Sequence, residues 1–212
     1  VRSSLGEEDQ MWVKQFFRTF YEMPLVEKIA LKACKGKVLD VGAGAGAHSV
    51  YLKEKGLDVY PIDISPGAVE VMRKQGLEKA RLINFFDLKE EKYDSILMLM
   101  NGIGIVGEMA SLDEFFDQCR RLLNTGADLI IDSSDIIYMF EDEFGQFELE
   151  HNQYYGEVKY TMKYKNIIGS SFNWLFVDYN NFKKAAEKNG FETELLKEQK
   201  NKAYSCLARP KF

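Results

Sequence analysis

The chain has 212 residues, of which 46% are hydrophobic and 29% charged, with a formal net charge of −5. That length and balance suit a single globular α/β domain and exclude a disordered or fibrous chain, while the acidic charge offers no field to polyanions, so no nucleic-acid partner is expected. Cys34, Cys119 and Cys206 lie far apart, leaving an odd count and no metal-ligand spacing, and no apolar run approaches the roughly 18 residues of a membrane span; a cytoplasmic protein with no metal and no membrane attachment is expected.

Residues 9–35 carry apolar side chains at helical spacing (Trp12, Phe16, Phe20, then Val26, Ile29, Ala30), with Pro24 splitting two helices. The run Lys37 to Val41, rich in β-branched residues and ending in glycines, predicts a buried parallel strand, and a helix follows from about Ala47 to Lys55. Asp58 to Asp63 reads as a second strand ending in an acid, and Pro66 opens a helix that Gly76 ends. Leu82 to Phe85, Ser95 to Met100 and Leu129 to Ser133 read as three further strands, with a helix over Leu112 to Leu123 and a turn at Asn124 to Gly126. Alternating strands and helices imply right-handed crossovers and a doubly wound parallel sheet.

After Ser133 the period changes to two, across Tyr154 to Tyr164 and Ser171 to Val177, which predicts an inserted β-hairpin spanning about 150–178. Lys159, Lys163 and Lys165 alternate along it and read as a solvated strand face. A helix from Tyr179 to Asn189 then leads to two strands, Glu192 to Glu198 and Ala203 to Ala208, expected to pair antiparallel. With no repeat or linker, residues 1–212 form one expected domain: a Rossmann-like seven-stranded sheet with an antiparallel last strand, a helical N-terminal cover and the hairpin.

The chemistry concentrates in Val38 to Leu52, where Gly42, Gly44 and Gly46 stand between a strand and a helix. Missing Cβ atoms allow a tight turn and a close ligand approach. The same letters satisfy G-x-G-x-x-A, with Asp63 at about the 20-residue spacing of a dinucleotide site. Asp40, two residues before Gly42, separates the alternatives. A carboxylate there repels a pyrophosphate and attracts the sulfonium and ammonium of S-adenosylmethionine (SAM).

The segment Val38 to Leu52 resembles motif I of the class I SAM-dependent methyltransferases. The similarity extends to Asp63, to Phe86-Asp87 and to Tyr93 through Asn101, covering about residues 36–135 and the C-terminal strand pair. The resemblance implies methyl transfer from SAM, leaving S-adenosylhomocysteine (SAH). It places Asp40 near the SAM amino group and Gly42, Gly44 and Gly46 against the methionine part and ribose. Asp63 would take the ribose hydroxyls, Ile64 would pack on adenine, Phe86 would flank the ring, Asp87 would accept the adenine amino group, and Asn101 would line the pocket near the sulfonium.

Other readings stay open. Asp63 and Asp87 also fit a strand-end cap and a turn, and Gly102, Gly104 and Gly107 suggest a backbone shaped around something. Of the two histidines, His48 reads as a packing or helix-start residue and His151 as a surface group before the hairpin, so no catalytic residue is assigned. Arg18 is either solvated or a partner for the SAM carboxylate. Trp12, Phe16, Phe17, Phe20 and Tyr21 form a core stripe or close over the cofactor. The hairpin aromatics Tyr154, Tyr155, Tyr160, Tyr164, Phe172, Trp174 and Phe176 select a small-molecule acceptor or bury a homodimer interface. An NAD(P)-dependent oxidoreductase and a non-catalytic SAM-binding protein are the alternatives.

Overall fold

The computed structural model describes residues 1–6, 8–89, 91–142, 144, 146, 153–199 and 203–210. His151 lies outside the described residues, as does the start of the expected hairpin segment.

In chain order the elements are β1 (Arg2–Ser3), α1 (Leu25–Ala33), β2 (Lys37–Val41), α2 (Ala47–Glu54), β3 (Asp58–Asp63), α3 (Pro66–Lys74), β4 (Arg81–Leu82), β5 (Tyr93–Met98), α4 (Leu112–Leu122) and β6 (Leu123–Ser134). There follow β7 (Glu157–Thr161), β8 (Lys163–Tyr164), β9 (Ile167–Ile168), β10 (Phe172–Leu175), α5 (Tyr179–Lys188), β11 (Phe191–Glu198) and β12 (Ala203–Pro210). Seven strands make the main sheet in the order β11-β12-β6-β5-β2-β3-β4. β2 pairs in parallel with β3 and β5, and β5 with β6, while β12 runs antiparallel to both β6 and β11. The last strand therefore inserts beside β6 and leaves its predecessor at the edge.

Strand alternation sorts the core into two layers. Leu39, Ile96, Leu129, Ile131 and Cys206 face Phe115, Phe116, Phe182 and Phe191, in the layer of α4 and α5. Val38, Leu97, Ile130 and Leu207 face Ala30, Leu31 and Leu52, in the layer of α1 and α2. Both sides of the parallel strands are thus covered, which is why those segments read as continuous apolar runs. Local chemistry starts the helices. Ser65 accepts a hydrogen bond from the Ala68 N–H with Pro66 at the first position of α3, and Asp178 accepts from the Asn181 N–H at the start of α5.

Three elements differ from the sequence reading. The third strand is only Arg81–Leu82, because the chain then turns into the 3-10 segment Phe85–Asp87, capped by the Asn84 side chain on the Phe86 N–H. β6 begins at Leu123, and the expected turn at Asn124 to Gly126 is absorbed as a shift in the pairing of β5 and β6, with Gly126 at φ +74°. The lead-in before Pro24 folds as two 3-10 turns, Val13–Phe17 and Phe20–Glu22, rather than an α-helix. Aromatics crowd both sides of that stretch and favour helix weakly, and a capping box between Thr19 and Glu22 starts a fresh turn within it.

The insertion is larger than a hairpin. β7 pairs with β10 and also with β1, giving a three-stranded antiparallel cover, and β8 and β9 form a small separate ribbon beyond it. Among the described residues no helix is long and apolar enough to cross a membrane.

Candidate active site

The parallel strands deliver their carboxyl ends to one edge of the sheet, where ligands of this architecture bind. There the loop after β2 faces the three-stranded cover across a cavity of about 480 Å³. Its floor is Asp40, Gly42, Gly44, His48, Leu99 to Gly102 and Ile105; its roof includes Asp9, Met11, Phe16, Tyr160, Phe172, Trp174 and Phe176.

Asp40, the penultimate residue of β2, is almost fully buried and accepts a 2.6 Å hydrogen bond from the Ser49 hydroxyl. Burial pushes its carboxyl above the ordinary carboxylate range, only partly offset by His48 and Ser49. A buried acid at a cavity wall, short of charge compensation, is a receptor for a cation. Gly42 and Gly44 take left-handed backbones at φ +68° and +58°, and a Cβ on Gly42 would meet nothing within 4 Å. The backbone here is bare toward the cavity.

Gly46 has a different reason. Its φ is +91°, and a Cβ would stand 2.6 Å from Leu77 Cδ1 and 3.0 Å from Met72 Cγ, so this glycine lets α2 start against α3 and does not line the cavity.

Asp63 ends β3 with its carboxylate beside the loop, accepting from the Gly44 N–H at 2.9 Å and the Ser65 N–H at 2.8 Å. Ile64 next to it is 73% exposed, an apolar face turned to solvent. The Ile83 N–H donates to the Asp63 carbonyl, which brings the turn after β4 alongside. On that turn Phe86 is half-buried against Phe85, their ring centroids 5.3 Å apart, and Asp87 is exposed. Asp63, Ile64, Phe86 and Asp87 therefore form a shelf next to the cavity rather than part of its lining.

Asn101 lines the cavity at the end of β5, in a left-handed backbone that Met100 shares. Two consecutive non-glycine residues of this kind are strained and need an external hold. Asp132 on β6 supplies it, accepting from the Met100 N–H at 3.0 Å and the Asn101 N–H at 2.7 Å. The Asn101 side-chain oxygen is buried and has no hydrogen-bond partner among the described residues, so it is a waiting acceptor at the cavity wall. Burial, reinforced by the charge of Glu27, pushes the Asp132 carboxyl up to about 7.

Of the glycines after Asn101, Gly104 serves packing. A Cβ on Gly104 would lie 2.1 Å from the Trp174 indole, so the ring from β10 rests directly on that backbone and ties the cover to the cavity floor.

Arg18 neither is solvated nor reaches into the cavity. It pairs with both carboxylate oxygens of Glu27, whose Oε2 also accepts from His48 Nε2 at 2.8 Å. Glu27 and His48 are buried and Arg18 is partly buried. For His48, burial alone would lower its proton affinity, but the Glu27 hydrogen bond and the Asp40 charge outweigh it and the pKa is raised; Glu27 is lowered despite burial by the same contact and by Arg18. His48 also lines the cavity, its Nε2 committed to Glu27.

The N-terminal aromatics divide. Phe16 covers Gly44, Phe20 stacks on Tyr51 at 4.1 Å, and Trp12, Phe17 and Tyr21 are exposed rather than in the core. The insertion aromatics divide too. Tyr160, Phe172, Trp174 and Phe176 face the cavity, Tyr154 and Tyr155 bond Asp178 and Asp135, and Tyr164 points outward. Lys159, Lys163 and Lys165 are exposed.

Sequence reading passed over Glu27 and Asp132. Each left a signal: Glu27 shares a helical face with Ala30 and Leu31, and Asp132 interrupts the apolar strand run Leu129 to Ile131.

A family model described as a methyltransferase domain matches residues 38–126. A SAM-dependent methyltransferase from Bacteroides fragilis, solved in complex with S-adenosyl-L-homocysteine, superposes with a TM-score of 0.93 at 43% identity, covering 99% of this chain and 86% of that one. The CcbJ methyltransferase of Streptomyces caelestis shares the fold, with a TM-score of 0.67 at 15% identity over 92% of this chain and 99% of that one. Among curated proteins, a 23S rRNA (uracil(747)-C(5))-methyltransferase of Pyrococcus horikoshii is 29% identical over 118 residues; the match covers 55% of this chain and about a quarter (27%) of that enzyme.

Proposed function

This chain belongs to the class I SAM-dependent methyltransferases, and from that premise we propose that it methylates a small-molecule acceptor held between the glycine loop and the aromatic cover. The observation that carries the reading is the cavity itself. At about 480 Å³ it lies within the range of about 300 to 1,000 Å³ typical of small-ligand sites, with the glycine loop on one side and Trp174 and its neighbours on the other.

SAM supplies an electrophilic methyl group on a sulfonium. In this reading the chain's own residues bind, orient and exclude water. Asp40 draws the ammonium, Gly42 and Gly44 admit the methionine backbone, and the unpartnered oxygen of Asn101 accepts a hydrogen bond from the same end. Asp63 keeps lone pairs beyond those used by Gly44 and Ser65, and these suit vicinal ribose hydroxyls. Ile64 and Phe86 offer apolar faces to adenine, with Asp87 at its edge. Gly46 acts at one remove, by seating α2. Holding the acceptor in line with the methyl group accounts for much of the expected acceleration, which is why no general base is assigned.

The curated relative acts on ribosomal RNA. Here, among the described residues, the cavity lining contains no Lys or Arg, so RNA is not the proposed acceptor. Calorimetry should find SAH bound and NAD unbound; tight NAD binding without SAH would return the reading to an oxidoreductase. Turnover of a metabolite panel with SAM, read by mass spectrometry, tests the acceptor, and methylation of RNA alone would overturn the small-molecule reading.

A further inference from the structure

Tyr160 on β7 and Phe172 and Trp174 on β10, continued by Phe176, project from one face of the cover, since Tyr160 pairs with Phe172 and Val158 with Trp174 in register. Their rings form a connected wall. Centroids lie 6.2 Å apart for Tyr160 and Phe172, 6.2 Å for Tyr160 and Phe176, and 6.0 Å for Phe172 and Trp174. Met11 and Met162 extend the same lining with polarisable thioethers. The wall is fixed rather than adaptable, because the indole is seated on Gly104.

The charges beside this wall are unequal. Asp9 lines the cavity at its rim, exposed, its carboxylate accepting only the adjacent Gln10 N–H among the described contacts. Among the described residues the one basic side chain in the lining, His48, is committed to Glu27 on the far wall, and the Val1 amino group donates to the Asp9 carbonyl. An anionic acceptor therefore finds no uncommitted basic side chain among the described lining residues. A hydroxyl acceptor, less acidic than an ammonium, needs a stronger base than a carboxylate, and the one imidazole in the lining already spends its Nε2 on Glu27. Aromatic faces with a nearby carboxylate are, by contrast, the standard receptor for an alkylammonium ion.

Building on the methyl-transfer reading above, we propose that the acceptor is a primary or secondary amine, captured as its ammonium ion by the wall of Tyr160, Phe172, Trp174 and Phe176 with Asp9 at the entrance. The ammonium gives one proton to the Asp9 carboxylate or to water. The freed nitrogen lone pair forms the C–N bond as the C–S bond breaks, its electron pair staying on sulfur as the thioether, and the product is the N-methylated ammonium.

The test is calorimetry on enzyme saturated with SAH, using three isosteres: phenethylamine, 2-phenylethanol and phenylacetate. Phenethylamine should bind about tenfold tighter than either analogue, the size expected of a desolvated cation over aromatic rings. Asp9→Asn should weaken the amine severalfold, leave the alcohol unchanged and leave SAH affinity intact. Phe172→Leu, on the partly exposed end of the wall, should reduce the amine preference as well. Amine binding no tighter than that of the alcohol and the acid, including no binding by any of them, overturns the proposal, as does an Asp9→Asn variant that weakens all three alike. Failure of SAH itself to bind would instead bring down the methyl-transfer reading.

Discussion

Glu27 and His48 stand 21 residues apart in the chain and meet at 2.8 Å, Oε2 to Nε2, beneath the glycine loop. Because Arg18 grips the same carboxylate, the contact joins three segments: the N-terminal turns, α1 and the first turn of α2. A largely buried Arg-Glu-His chain depends on every member, since removing one leaves uncompensated charge in a low-dielectric site.

Glu27→Gln should therefore cost about 3 to 5 kcal/mol of stability, measured by urea unfolding near pH 6. The pH dependence has a definite sign. His48, raised by its partner, contributes stability below about pH 6.5 that is lost as pH rises through its folded pKa. Glu27, lowered, contributes above about pH 4.5 and loses it as pH falls. The gap between wild type and variant should be widest between those limits. A variant as stable as wild type at pH 6 would show that the chain braces nothing.

The glycines of the loop separate by substitution. Gly46→Ala drives a methyl group into Leu77 and Met72 at positive φ, so it should lower the melting temperature by several degrees. Gly42→Ala meets open space on its Cβ side, costs only about 1 kcal/mol of backbone strain, and should act on SAH affinity more than on stability. Thermal melts and calorimetry on both variants check this, and equal losses of stability would contradict the assignment of Gly46 to packing.

Asp63 carries two loads, and the variants Asp63→Asn and Asp63→Ala divide them. The amide keeps one acceptor for Gly44 or Ser65 but loses the charge offered to the ribose, and should weaken SAH binding by about 1 to 2 kcal/mol. Alanine also frees the loop amides and should cost about 1 kcal/mol more in affinity, together with a loss of stability that asparagine does not show. Unchanged dissociation constants for both would remove Asp63 from the site.

What sequence could show followed from locality. The strand-loop-helix from Val38 to Leu52, with Asp63 at the next strand end, was legible because its apolar run, glycines and acid are consecutive or at a set spacing. Sites assembled from distant segments were not. Arg18 pointed equally to solvent and to a ligand because its partner, Glu27, is set by how α1 packs. Gly104 advertised an unusual backbone without naming the indole that fills it, since Trp174 arrives from an insertion 70 residues later in the chain. The aromatic stripe from Trp12 to Tyr21 fitted both core and cavity because helical spacing does not say which side chain meets which surface: Phe16 reaches the cavity, Phe20 packs on the core, and Trp12, Phe17 and Tyr21 are exposed.

Asp132 offers the sharpest test of the site's construction. Its carboxylate holds the left-handed pair Met100 and Asn101 against the cavity, yet burial raises its pKa to about 7. An acid whose folded pKa lies above the unfolded value near 3.9 binds a proton in the folded state that the unfolded chain releases, so folding stability falls as pH rises between about 4 and 7, by roughly 1 kcal/mol per unit. Asp132→Asn cannot titrate. It should remove that slope, visible as a difference between the wild-type and variant urea midpoints that changes steadily from pH 4.5 to 7 and levels off above. The asparagine can accept from only one of the two N–H groups and turns its own NH2 toward the other, so Asn101 should lose its fixed position and SAH affinity should drop about tenfold at pH 7.5. Parallel stability curves for the two proteins would mean that Asp132 titrates normally. An unchanged SAH affinity would mean that the strained pair holds its shape without the clamp.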